Sequence, residues 1–137
     1  MDTGFIVGLL DKSDPWHDWA ISVAPNARGP WLTAEACIAE CIHCLEGKAF
    51  IGRSRLFLFD WMERDLLHSK HFLPERQSLV FAEMNRYKSR YVDFADVCIV
   101  TLSDEFLRLP VFTTDSRDFA IYLRGRTPRQ LFAPHNS

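Results

Sequence analysis

Four acidic residues stand where they could hold a cation. Asp2 and Asp96 each open an apolar stretch, Glu40 interrupts another, and Asp115 follows a third. Asp93 and Asp96 are three apart, so on a helix they share one face. Behind them runs Val97-Cys98-Ile99-Val100-Thr101-Leu102, apolar nearly all round, as a buried helix is. Leu109-Pro110-Val111-Phe112-Thr113 is β-branched and aromatic and reads as a strand that stops at Thr114-Asp115. In open α/β sheets ligands sit beyond the carboxyl ends of the strands, and Asp115 lies at such an end. Carboxylates gathered in one place repel unless they hold a proton or a cation. A hard divalent ion such as Mg²⁺ takes oxygen ligands, and acids holding one or two such ions can activate water for in-line displacement at phosphorus. Spacing alone leaves that reading level with helix capping and ion pairing, because dispersed acids are common.

The elements that must position these acids follow from the periodicity. Phe5, Ile6, Leu9 and Leu10 make a helix stripe that Asp2 or Thr3 would cap. A turn over Asp11 to Pro15 leads to a short helix, Trp16 to Val23, and then a Pro/Gly loop from Pro25 to Pro30. Trp31-Leu32-Thr33 reads as a short strand. Ala34 to Glu46 is a helix ended by Gly47. A further helix is expected over Lys48 to Leu67, a brief strand over His71 to Leu73, and a helix over Glu75 to Tyr87. After the strand ending at Thr113, Ser116 or Asp118 should cap a short helix through Tyr122. Gly125 to Pro128 reads as a loop, and Gln130 to Phe132 as a last edge strand. Alternating short strands and helices predict one α/β domain over 1–137, a mainly parallel central sheet flanked by helices.

Composition narrows the function classes. The apolar fraction of 47% with 13% aromatics argues against disorder. No apolar run approaches the roughly 18 residues that span a bilayer, and the first residues lack a basic segment and cleavage site. Cys37, Cys41, Cys44 and Cys98 fall within predicted helices, the first three on one stripe, and read as buried reduced thiols. A cytoplasmic protein with no membrane association is expected. The net charge of −2 excludes a globally basic nucleic-acid footprint, so any attraction to phosphate must be local. Arg86, Lys88 and Arg90 cluster before Asp93, and Arg117 follows Asp115; these are the candidates for phosphate contact, set against a solvated charge run. Trp16, Trp19, Phe57, Phe59 and Trp61 exceed what one small core needs and point to a partner surface.

MDTGFIVGLLDKSDPWHDWA, TAEACIAECIHCL, YVDFADVCIVTLSDEF and VFTTDSRDF, taken in order, resemble the motifs of PIN-domain proteins, especially the VapC-like toxins of toxin–antitoxin pairs. The likeness runs over nearly the whole chain. It implies a three-layer PIN-like fold and Mg²⁺- or Mn²⁺-dependent endoribonuclease activity, a hydrolase acting on RNA. It also implies a homodimer and a cognate antitoxin. The residues matching the family pattern are Asp2 with Thr3, Glu40, Asp93 with Asp96, and Thr113-Thr114-Asp115. Asp2, Glu40, Asp96 and Asp115 are then the metal-site and catalytic acids, with Thr3, Thr114 and Asp93 supporting them. Each has a blander reading: Asp2 and Asp93 as helix caps, Glu40 as the partner of Arg53 or Arg55, Asp115 in an Asx-turn. The rival function is a catalytically inactive PIN-like module that binds RNA or protein. Asp2-Thr3-Gly4 also matches the aspartic-protease triplet, but here it opens a helix, which sets that reading aside.

One departure from the family stands out. PIN-like chains deliver the opening Asp on an apolar first strand, whereas here only Met1 precedes Asp2. The expectations are open backbone edges beside it, an Asp2 on a mobile terminus, and a start site annotated too late. If instead Met1 is the genuine start and the sheet has rearranged, lower stability and weak metal affinity are expected.

Overall fold

The computed structural model describes residues 1–46, 51–107, 109–126 and 130–135, without the side chains of 51–53. The expected Gly47 cap, the helix start at Lys48, the Arg53 side chain and the end of the loop at Pro128 lie outside the described residues.

Four short strands form two parallel pairs. β1 (Trp31–Ala34) pairs with β2 (Leu67–Lys70), and β3 (Val111–Phe112) with β4 (Leu131–Phe132). Met1 and Asp2 lie between the pairs and join them. The terminal ammonium donates to the Leu32 carbonyl at 2.6 Å, and the Thr33 hydroxyl donates to the Met1 carbonyl at 2.7 Å. On the other side the Asp2 N–H donates to the Phe112 carbonyl at 2.9 Å. Asp2 is therefore not on a mobile terminus: Met1 is 8% and Asp2 6% exposed. Beside them lies a mostly apolar cavity of about 310 Å³, lined by Leu32, Ile99, Leu102, Phe106 and Val111 among others.

Helices cover both faces. On one, α3 (Glu35–Leu45), α5 (Gln77–Arg86), α6 (Phe94–Glu105) and α7 (Ser116–Tyr122) bury Cys37, Val80, Val97, Cys98, Val100, Phe119 and Tyr122 together. On the other, α1 (Thr3–Leu10), α2 (His17–Val23) and α4 (Ile51–Glu63) bury Phe5, Ile6, Ala20 and Leu58 against Leu67 and Phe112. The parallel α/β architecture expected from the alternation is the one observed. As predicted, α6 is buried nearly all round, every residue from Val97 to Ser103 included.

The helix expected to reach Leu67 stops earlier, and the strand expected at His71 to Leu73 lies instead at Leu67–Lys70. The stop is a Schellman-type closure: the Leu66 N–H donates to the Trp61 carbonyl at 2.8 Å and the Asp65 N–H to Met62 at 3.2 Å. Asp65 supplies the left-handed residue, with φ 56°, where glycine is usual. Leu-His-Ser-Lys carries no β-branched residue, so pairing with β1 and burial of Leu67 override local propensity. Asp115, rather than Ser116 or Asp118, caps α7.

Cys44 is exposed, so only Cys37 and Cys41 of the expected thiol stripe are buried, with Cys98; all four are free thiols. Burial pushes the Cys37 and Cys98 thiols up to about 12, which leaves them inert. The aromatic surplus also divides. Trp19 meets Phe5 edge-on at 5.8 Å and Trp61 meets Trp31 edge-on at 5.2 Å, so these belong to the core. Phe57 and Phe59 are 56% and 39% exposed, with Leu56 beside them at 65%. No helix among the described residues is long and apolar enough to cross a membrane.

Arg126 ties the far end of the domain. Its guanidinium pairs with Glu83 on α5 and Asp104 on α6, and its Nε donates to the Tyr122 carbonyl at 2.7 Å. The side chain is only 10% exposed, so removing it leaves acids without their counter-charge. Arg126→Met should lower stability by about 1–3 kcal/mol, read as a shift in the urea midpoint at constant m. An unchanged midpoint would show that the cluster is inert.

Candidate active site

Asp2 enters the site from the middle of the sheet. Its carboxylate accepts from the hydroxyl of Thr113, a fully buried residue immediately after β3. Burial raises the Asp2 pKa, while the Thr113 hydroxyl and the neighbouring terminal ammonium pull it back. The same Thr113 oxygen accepts the Asp115 N–H at 2.9 Å. One hydroxyl thus fixes two of the predicted acids. Thr113 was visible in the sequence only as the first letter of T-x-D; its burial at a strand end was the signal for a supporting role.

Glu40 projects from α3 and accepts from the Thr3 hydroxyl at 2.6 Å. The predicted helper Thr3 therefore touches a predicted acid. The donor comes from the first turn of α1. Glu40 is raised, first by burial.

Asp96 sits in the first turn of α6, and its carboxyl is pushed up to about 8. Burial is the largest cause. The charges of Asp2, Asp93, Asp115 and Glu40 follow, so α1, α3, α6 and the end of β3 deliver their acids to one place. Asp93 itself caps α6, accepting from the Ala95 N–H at 2.8 Å, as its position suggested. Asp115 has both features: it caps α7 through the Asp118 N–H at 2.8 Å and its charge reaches Asp96.

Thr114 is held by a close approach rather than a hydrogen bond. A Cβ built on Gly4 would fall 1.9 Å from the Thr114 hydroxyl oxygen. Only glycine lets α1 pass this near the strand end.

The basic candidates do not gather. Arg86 pairs with Glu83 at 3.7 Å on its own helix. Arg90 pairs with Asp118 at 2.7 Å and lies 5.9 Å over the Tyr122 ring. Lys88 is exposed. Arg117 is exposed too, and it lines a cleft with Trp16, Thr114, Asp115 and His135.

By chemistry the donor set suits a hard divalent cation: carboxylates with flanking hydroxyls. As placed, however, no group of three or more His, Cys, Asp or Glu among the described residues is arranged to hold a metal ion. Thr3 and Thr113 occupy two of the carboxylates instead.

This arrangement, a parallel sheet with its acids gathered at strand and helix ends between two helical layers, is a VapC-like PIN fold. The Mycobacterium tuberculosis toxin VapC20, described as cleaving the Sarcin-Ricin loop, shares it. Its solved structure has a TM-score of 0.74 to this one, covering 92% of this chain and 94% of VapC20 at 15% identity. No protein-family model and no curated protein matches the sequence.

Two outcomes follow from the geometry. The raised Asp96 pKa lies above the ~3.9 of an unfolded Asp, so between about pH 4 and 8 the folded state binds more protons than the unfolded. Stability of the metal-free protein should therefore fall as pH rises through that window, and Asp96→Asn should flatten the fall. A slope identical in the variant would remove Asp96 as its source. Second, Gly4→Ala must push the Thr114 side chain aside, which should cost about 1–3 kcal/mol by thermal melting. A melting point equal to wild type would mean that the strand end yields freely.

Proposed function

We propose that the chain is a metal-dependent endoribonuclease of the VapC toxin kind. The observation that carries this is the mutual perturbation of the acids, with Asp96 pushed to about 8 by burial and by four neighbouring carboxylates. Like charges are kept this close together only at a cost, and a resident cation would offset it. The VapC-like fold and the toxin described for VapC20 supply the substrate class, RNA. Asp2, Glu40 and Asp96 would hold Mg²⁺ or Mn²⁺, with Asp115 acting directly or through water. Such an ion supplies a Lewis acid and a water made nucleophilic at neutral pH. The protein's own part is to aim the carboxylates: Thr113 orients Asp2, Thr3 orients Glu40, and the Asp93 cap fixes the first turn that carries Asp96.

A second reading is favoured by the threonine hydroxyls, which engage two acids in place of a preformed metal group. A PIN-like module that binds RNA or protein without cleaving it would look the same. Incubating purified protein with structured RNA separates the two. We expect cleavage in Mg²⁺, none in EDTA, and a loss of at least about 10²-fold in Asp2→Asn and Asp96→Asn. Binding without cleavage would select the inactive module, and full activity in Asp96→Asn would reject the assigned site.

The exposed Leu56, Phe57 and Phe59 of α4 are where a second copy or an antitoxin would dock. Sedimentation equilibrium at micromolar concentration should show a dimer, and a monomer alone would reject the homodimer. Within the cell we place the protein in the cytoplasm, where its RNA substrate is.

A further inference from the structure

The site's basic groups are unequally available. Arg90 is engaged with Asp118, and Arg86 with Glu83. Arg117 has no ion-pair partner among the described residues, and it follows Asp115 by two positions. It lines an open cleft of about 810 Å³ with Trp16, Thr114, Asp115, Ser116 and His135. This cleft is mostly polar in lining, with one large aromatic. Trp16 belongs to neither core cluster, unlike Trp19, Trp31 and Trp61, and remains partly exposed beside the acids. Its backbone is fixed by the Asp14 carboxylate, which accepts the Trp16 N–H at 2.8 Å.

We propose that this cleft is a nucleotide subsite: Trp16 stacks the base next to the scissile phosphate, and Arg117 takes that nucleotide's phosphate. The assignment rests on the ribonuclease reading for the scissile bond but not for the binding itself. An aromatic face, a guanidinium and an imidazole around an open polar cleft are the parts with which proteins hold unstacked single-stranded nucleotides. Asp115 on the same wall places the bound nucleotide beside the acid cluster. Because stacking is tolerant of base identity, the subsite selects unpaired over paired RNA rather than one base over another. Trp16 is thus a positioning residue, and its loss falls on KM more than on kcat.

The test uses a fluorescein-labelled single-stranded RNA hexamer and anisotropy in EDTA, where nothing is cleaved. Stacking of ~1–3 kcal/mol predicts that Trp16→Ala weakens binding by about 5- to 150-fold while Trp16→Phe stays close to wild type. Arg117→Ala should weaken binding and reduce the slope of log K against log salt by about 1. A hairpin duplex of the same sequence should bind less tightly to wild type and be insensitive to Trp16→Ala. Wild-type affinity in both Trp16→Ala and Arg117→Ala would overturn the subsite, whether or not the protein cleaves RNA. Binding that depends on Trp16 in a protein that never cleaves would keep the subsite and fail the nuclease reading. If Trp16→Ala does not fold, the Arg117→Ala slope decides: an unchanged slope overturns the proposal.

Discussion

Two residues hold the halves of this sheet together. Met1 and Asp2 give three backbone-directed hydrogen bonds, one each to Leu32 and Phe112 and one from Thr33, across a gap otherwise filled by a cavity. That seam sets the position of Asp2, and Asp2 sets the electrostatics of everything near it. After burial, its charge is the largest cause that raises Asp96, and it also contributes to raising Glu40, Cys37 and Cys41. A buried ammonium accompanies it, its pKa lowered by burial and partly restored by the Asp2 carboxylate. Fold and site are therefore closed by the same short piece of chain.

The acid cluster illustrates how a pKa and a packing problem become one. The acids are carried by elements whose apolar faces are already committed: α1 through Phe5 and Ile6, α3 through Cys37 and Cys41, α6 through Val97 to Leu102. None can retreat without exposing core. Hydroxyls from Thr3 and Thr113 and the N-terminal turns of α6 and α7 partly satisfy the carboxylates. What remains is a proton taken up by Asp96 or a cation in its place.

Much of this was legible in residue order. The buried character of α6, the strand ending at Thr113 and the parallel α/β class follow from period and side-chain type alone. The acids' convergence followed from placing them at element ends, while the roles assigned to them still rest on the experiments above. Where local signals were weak, reading failed. β2 has no β-branched residue and is a strand because β1 needs a partner, and α4 stops at an Asp in a glycine's conformation. The aromatic surplus was read as one group, but amphipathic aromatics fit core and surface alike: Trp19 and Trp61 pack inward while Phe57 and Phe59 face out. The basic run before Asp93 looked like one patch, yet ion pairs engage two of its three members, Arg86 within its own helix and Arg90 across to Asp118.

Thr113 carries a consequence for anyone wanting a silent but intact protein. Its single oxygen donates to Asp2 and accepts from the Asp115 backbone, so a change there loosens the sheet seam and the α7 cap together. Architecture and chemistry are inseparable at that atom. Asp96, half-buried at the open end of α6, gives no such bond and is instead burdened by its neighbours' charge. The two ends of the cluster thus differ in kind: Asp2 is locked by a hydrogen bond, while Asp96 is governed by burial and by its neighbours' charge.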